Sequence, residues 1–324
     1  MTPRFRGAAL VALRFLVIGA ALLFLVRGVD WTDVRGTLRS TNLLLLASVV
    51  AVNGGMTALK ASRLRLLLGQ APSFKSCFLA KLTASAINNV VPFRGGDMAR
   101  VWMLERHARI TKSAAAAVGV VEVLFDLISL AVLAFVGALV LREQRWAVVT
   151  TSIVLIAAVA LVWVLKRMNG NRPLKSADEP PANGLLGRIR RLAQRVGPGI
   201  RALREPETAA SAMALSLIVW VFEMSMVMLC ARAIHLTVGP ALAMVTLLGI
   251  NLAMALPSMP ASAGAFESGA TLVLVLSGIP KGSAIAFALL YHVIQVVPVT
   301  LAGLAVVSKA GLTLDRLPAP EAAE

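Results

Sequence analysis

Helix-breaking and charged residues stand together in one stretch of an otherwise apolar chain. Pro92, Arg94, Gly96, Asp97 and Arg100 fall within nine residues, directly after an apolar run. Proline removes a backbone donor and glycine loosens the backbone, so a helix should break here with its last carbonyls unpaired. Inside a bilayer such a break is tolerated only where it is buried in protein or lines a wet cavity. The stretch is therefore either a surface loop or one wall of a polar cavity in which arginines hold an anion.

Two acids stand in a second apolar run. Glu122 and Asp126 are four residues apart, so they share one face of a helix. Two buried carboxylates repel unless one is protonated or a cation lies between them, and Arg94, Arg100 or Lys81 can supply that cation. An ionisable group at membrane depth is a functional candidate by default. The competing interpretation is a structural ion pair that holds the broken stretch, and the sequence leaves both open.

A second broken stretch lies late in the chain, over residues 252–269. Pro260, Gly264 and Glu267 lie within it, and His292 lies in the last long apolar run. A histidine in that setting is more often a hydrogen-bonded core residue than a ligand. Interrupted segments at matching places in two halves of a membrane protein indicate a transporter's substrate site.

The composition decides which solvent surrounds the chain. It is 58% hydrophobic, with a mean hydropathy of +0.81, and only 15% of its residues are charged, against about 25% in soluble domains. A net charge of +16 would suggest nucleic acid in a soluble protein. Here the basic residues lie in short segments beside apolar runs, as orientation signals and contacts for anionic lipid surfaces do. We predict an integral membrane protein that does not bind nucleic acid.

Signatures of known enzyme chemistry are missing from the sequence. It contains no H-E-x-x-H, G-x-S-x-G or C-x-x-C motif and no phosphate-binding glycine loop. Cys77 and Cys230 are isolated thiols without metal-ligand spacing. We expect no catalytic residue, no metal and no cofactor. An intramembrane transferase with Asp97 or Glu122 as base, and a scaffold for lipid-modifying enzymes, remain as alternatives.

Apolar runs of helix length must position these residues. We predict an all-α polytopic fold in which full spans cross a core of about 30 Å, at residues 8–26, 43–59, 113–140, 147–165, 209–230 and 283–307. Two further runs are too short, too polar or too broken to span. They predict re-entrant hairpins interrupted by Pro and Gly, at residues 76–112 and 240–278.

The distribution of charge divides and orients the chain. We predict a first membrane half, a basic loop with an amphipathic helix, a second half and a tail, at residues 1–165, 166–207, 208–308 and 309–324. Residues 27–42 and 60–75 are predicted as polar loops. With both hairpins re-entrant, most of the 32 Lys and Arg residues fall on one face, which the positive-inside rule assigns to the cytoplasm together with both termini. The halves then form an inverted pseudo-repeat in the inner membrane.

Four stretches resemble a known family. They are PFRGGDMARVWML, VEVLFDLISL, LPSMPASAGAFESG and GIPKGSAIAFALLYHVIQVVP, and their order resembles the flippase-like family that includes the membrane domain of lysylphosphatidylglycerol synthase and hopanoid-associated relatives. The resemblance covers most of the chain. It implies movement of a phospholipid, or of an isoprenoid- or hopanoid-type lipid or its head group, across the membrane. The 324 residues leave no room for a soluble aminoacyltransferase domain, so we expect no lipid synthesis.

The family pattern P-x-R-x-G-E-x-x-R is matched at the first break with Asp97 in place of Glu. Val123 follows Glu122 where the family usually has Arg, Ala261 stands where it has Gly, and His292 replaces an arginine. We predict that both breaks and the apolar-run acids line the substrate path. The predicted residues are Asn88, Pro92, Arg94, Gly96, Asp97, Arg100, Glu122, Asp126, Pro260, Gly264, Glu267 and His292.

The basic excess predicts that the loop at residues 166–207 is cytoplasmic. Asp178→Cys, in a chain without Cys77 and Cys230, should resist an impermeant thiol reagent outside intact cells and react after permeabilisation. Labelling from outside would overturn the orientation.

Overall fold

The computed structural model describes residues 31–69, 72–90, 95–140, 148–149, 151–156, 205–255 and 260–309. Over these ranges the chain is helical and contains no strand. Its main helices are α1 (Trp31–Arg39), α2 (Leu43–Leu67), α3 (Phe74–Val90), α4 (Gly95–Ala108), α5 (Lys112–Val140), α6 (Pro206–Ala233), α7 (Pro240–Met254), α8 (Ala265–Leu276) and α9 (Lys281–Lys309). The predicted span at 8–26, most of the span at 147–165, most of the basic loop and nearly all of the tail lie outside the described residues.

Four helices are long and apolar enough to cross a membrane, namely α2, α5, α6 and α9. They have 25 to 29 residues, which is about 37 to 43 Å at the rise of an α-helix. Large apolar side chains are more than half exposed on their outer faces, among them Val123 and Val136 on α5 and Leu301 on α9. Such faces suit lipid rather than water. The prediction of an all-α polytopic membrane protein is confirmed.

Two pairs of shorter helices lie where the broken hairpins were predicted. Helix α3 packs on α4, and α7 packs on α8. Between α7 and α8 a 3₁₀ turn, Pro260–Ser262, contains Ala261 and Ser262 at φ 56° and 58°, a left-handed backbone that is uncommon for residues other than glycine. This turn also contacts α3, so the second break lies against the first hairpin. The re-entrant course and the inverted relation of the halves stay predictions.

Two segments that were predicted as loops are helical in part. Within 27–42, Trp31, Val34 and Leu38 line a groove against Leu289 of α9, so an apolar side of α1 packs on the bundle. Helix α2 continues to Leu67 instead of ending at residue 59, so the first half of the loop predicted at 60–75 is helix. The prediction was wrong for residues 60–67 because it assumed that Lys and Arg must stay in water, whereas Lys60 and Arg63 pair with acids on neighbouring helices.

A buried asparagine hydrogen-bonds to backbone carbonyls that a proline leaves unpaired in α9. Pro298 lies inside this helix and has no N–H, so the carbonyl of Ile294, four residues earlier, lacks its helical donor. The side-chain amide of Asn53 in α2 donates to the carbonyl oxygens of Ile294 at 3.4 Å and Gln295 at 3.3 Å. The repair fixes α2 against α9.

Gly96 allows α4 to begin close to α3, and its replacement tests that contact. A methyl group there would overlap the carbonyl of Ala84 and the side chain of Asn88. Gly96→Ala should therefore lower the free energy of unfolding by about 1–3 kcal/mol, the usual cost of overpacking. The melting temperature of detergent-purified protein measures it.

Gly54→Ala is the matched control, because no atom lies within 4 Å of the added methyl group. It should melt at or above the wild-type temperature. Identical melting of the two variants would contradict the close approach of α3 and α4.

Candidate functional site

Glu122 of α5 lies where three other helices converge, and it is only 3% exposed. Lys81 Nζ, from α3, donates to its Oε2 at 2.8 Å. Arg100 Nη1, from α4, donates to the same oxygen at 2.6 Å. Arg63 Nε, from α2, faces Oε1 at 3.6 Å. One carboxylate thus holds cations from α2 and from both helices of the first hairpin.

Arg63 is the most deeply buried of these cations, at 1% exposure. Both of its terminal nitrogens donate to the carboxylate of Asp126, with Nη2–Oδ2 at 2.9 Å. Its Nη1 also donates to Ser216 Oγ of α6 at 2.6 Å. Arg63 therefore joins α2, α5 and α6 and supplies the cation that the spacing of Glu122 and Asp126 requires.

We call Arg63, Lys81, Arg100, Glu122 and Asp126 the charged cluster. It holds three cations against two carboxylates, a formal surplus of one positive charge. Within the described part of the chain, the Nε atoms of Arg63 and Arg100 and Oε1 of Glu122 are buried without a hydrogen-bond partner, and Arg63 Nε faces that oxygen at 3.6 Å. Guanidinium donors bind carboxylate and phosphate oxygens strongly. The cluster therefore has the charge and one donor, Arg100 Nε, for one additional anion.

His292 of α9 fixes the second break. Its Nδ1 lies 2.6 Å from Glu267 Oε1, and its Nε2 lies 2.9 Å from the carbonyl oxygen of Ala261. The other carboxylate oxygen, Glu267 Oε2, accepts the N–H of Gly264 at 2.8 Å. The ring therefore links α9 to Glu267 and to the 3₁₀ turn. A histidine thus stands where the family resemblance assigns an arginine.

A known family model matches most of the chain. The family model of the lysylphosphatidylglycerol synthase TM region matches residues 11–303. The chain belongs to this family. No curated protein matches it.

In this member of the lysylphosphatidylglycerol synthase TM family, the predicted site residues fall into three places. Arg100, Glu122 and Asp126 lie in the charged cluster, whereas Gly264, Glu267 and His292 lie at the second break. Asn88 Oδ1 accepts the N–H of Gly96 at 2.8 Å and so bridges the first break. Four other predicted residues complete the set: Asp97 is in the first turn of α4, Pro260 begins the 3₁₀ turn, and Pro92 and Arg94 lie outside the described residues.

Sequence reasoning missed Arg63 as a member of the site. Its signal was the spacing of Lys60 and Arg63, three residues apart within apolar sequence, which places two cations on one helical face. Arg63 pairs with Glu122 and Asp126 of α5, whereas Lys60 pairs with Glu223 of α6. Sequence reasoning also missed Gly119. A methyl group there would overlap the guanidinium of Arg100, so this glycine leaves room for Arg100 against α5.

Removal of Arg63 should destabilise the protein strongly. Arg63→Ala leaves Asp126 without its bidentate partner and Glu122 with one cation fewer, and breaking a buried pair costs about 3–5 kcal/mol. Thermal unfolding of detergent-purified protein measures the loss.

Lys112→Ala is the control, because Lys112 pairs with Glu105 at 3.4 Å on the surface, where such pairs contribute about 0–1 kcal/mol. A drop in stability for Arg63→Ala no larger than for Lys112→Ala would show that the cluster does not hold α2, α5 and α6 together.

Proposed function

We propose that the chain moves a lipid or a lipid-linked head group between the leaflets of the inner membrane. The observation that carries the proposal is the surplus of buried positive charge beside a broken membrane hairpin. A purely structural cluster is most stable when its charges balance, because every unpaired charge pays for its own desolvation. A surplus of one cation, with the unpartnered Nε of Arg100, instead suits an anionic phosphate that binds and dissociates.

The position of the cluster suits an entry site. Arg63 lies one turn before the end of α2, and Lys81 lies two turns after the start of α3, roughly 6 to 10 Å from the helix ends at the rise of an α-helix. The same end of the bundle carries Arg65, Lys75 and Lys112. By the positive-inside rule this end is cytoplasmic, so the cluster forms the cytoplasmic mouth of the path.

From this mouth, Asp126 and then the second break with Glu267 continue the polar path towards the middle of the bundle. The acyl chains remain in lipid, along the exposed apolar faces of α5 and α9. Only the polar head group then needs shelter from the hydrocarbon core, since the chains gain nothing from entering the protein.

The alternative of an intramembrane transferase requires Glu122 or Asp97 to act as a base. Glu122 is a poor choice, because hydrogen bonds and ion pairs with three cations stabilise its ionised form and oppose proton uptake. Mass spectrometry of the lipid after incubation separates the classes. A chemically unchanged lipid in the opposite leaflet supports transport, and a modified lipid supports a transferase. If the lipid is neither moved nor modified, the scaffold alternative remains.

Neutralising Arg100 should stop lipid movement. Arg100→Gln removes a charge-assisted donor to the head group, and such bonds contribute about 1.5–3 kcal/mol, so the rate should fall at least about tenfold. The assay follows a fluorescent phosphatidylglycerol analogue that becomes accessible in the opposite leaflet of proteoliposomes.

Arg106→Gln is the matched control on the same helix, because Arg106 is exposed and lies over the ring of Trp102 at 5.2 Å. It should retain the wild-type rate. Equal rates for the Arg100 and Arg106 variants, at equal amounts of folded protein, would refute the anion site.

A further inference from the structure

A second buried acid forms a polar group of its own. Glu223 of α6 is 9% exposed, and its Oε1 lies 3.3 Å from Lys60 Nζ of α2. Its Oε2 accepts hydrogen bonds from Gln295 Nε2 at 2.8 Å and Tyr291 Oη at 3.2 Å, both from α9. Gln295 Nε2 also donates to Tyr291 Oη at 2.7 Å. We call these four residues the Glu223 group.

Glu223 has fewer charged contacts than Glu122 and no bidentate partner like that of Asp126. Glu122 has three cationic neighbours and Asp126 has a bidentate arginine. Glu267 has a histidine and a backbone donor. Glu223 has one cation, a lysine whose side chain is 31% exposed, and two neutral partners.

The neutral partners also suit a carboxylic acid. A tyrosine hydroxyl can accept a hydrogen bond as well as donate one, and a glutamine amide offers an acceptor oxygen when it turns. A proton on Glu223 therefore keeps its hydrogen bonds to α9, whereas the ion pair with Lys60 is lost. Lys60 can leave because its side chain already reaches the protein surface.

We propose that Glu223 is a proton-binding site that couples head-group binding to protonation. A proton from water forms an O–H bond with the carboxylate, and Lys60 keeps its ammonium charge. The pair changes from neutral to singly positive, and the freed Lys60 binds the phosphate of an anionic lipid. Lys60 lies one helical turn from Arg63, so the lysine extends the charged cluster along α2. The inference rests on the proposed function for the identity of the ligand.

The charged and titratable groups near Glu223 come from three neighbouring helices and from α6 itself. Lys60 faces the carboxylate from α2, and Tyr291 with Gln295 faces it from α9. On α6 itself, the buried thiol of Cys230 belongs to the same core cluster as Tyr291. Asp126 on α5 is bound by Arg63. Of these groups, Glu223 is the one whose protonation releases a cation that reaches the protein surface, because Arg63, the partner of Asp126, is buried.

Proton uptake on binding gives a direct test. Calorimetric titration of purified protein with short-chain phosphatidylglycerol, in buffers of different ionisation enthalpy, counts protons per bound lipid. The wild type should take up close to one proton, and its affinity should rise by up to about tenfold for each unit fall in pH. Glu223→Gln, which resembles the protonated acid, should bind without proton uptake and with affinity independent of pH.

Glu105→Gln removes an acid that pairs with Lys112 on the surface and should keep the wild-type proton count. Lys60→Gln should bind more weakly and without proton uptake, which provides a second variant if Glu223→Gln fails to fold. Three outcomes would overturn the inference. The wild type binds lipid without taking up a proton, it binds no lipid at any pH, or Glu223→Gln takes up as many protons per bound lipid as the wild type. Lipid movement in proteoliposomes is measured separately and decides the proposed function whichever result the calorimetry gives.

Discussion

The buried carboxylate of Glu122 requires a charge partner inside the protein, because neither lipid nor apolar side chains can solvate it. Placing one such group at the centre of a membrane helix costs about 2.5–3.5 kcal/mol on insertion scales. Helices α2, α3 and α4 each bring a cation to it. The first hairpin is thereby fixed against α5 by ion pairs, and Arg63 extends the same network to α6 through Ser216.

Interrupted backbone in the bundle is satisfied by side chains from elsewhere in the fold. Asn88 accepts the N–H of Gly96 across the first break. His292 contacts the carbonyl of Ala261 at the second break, and Asn53 donates to carbonyls near Pro298. Each repair meets the rule that polar backbone inside a membrane protein must find an internal partner. Broken helices can therefore lie within the bundle and bring polar groups to its interior.

The sequence predicted the elements better than the contacts between them. Hydropathy placed α2, α5, α6 and α9 because an apolar run of spanning length has few alternatives. It ended α2 too early, since a window of hydropathy cannot register that Lys60 and Arg63 meet acids more than 50 residues away in sequence. Sequence alone also does not distinguish Asn251, which donates to the carbonyl of Leu247 in its own helix, from Asn88, which bridges the first break.

In the candidate site, too, local features were predictable from the sequence and contacts between helices were not. The spacing of Glu122 and Asp126 predicted that one of them is protonated or that a cation lies between them, because that is a local consequence of helix geometry. Arg63 is such a cation. The identity of that cation depended on how α2 packs against α5, which no local pattern specifies. Likewise, Glu223 was visible only as a single acid until Lys60, Tyr291 and Gln295 met it from two other helices.

The central claim is that surplus positive charge in the cluster selects an anionic head group. The most direct measurement compares initial rates of movement, in the same proteoliposomes, for phosphatidylglycerol and phosphatidylcholine analogues with identical acyl chains. Both carry a phosphate, but only phosphatidylglycerol has a net negative charge. Our account predicts faster movement of phosphatidylglycerol and loss of that preference in Lys81→Gln. Equal rates for the two lipids in the wild type would contradict it.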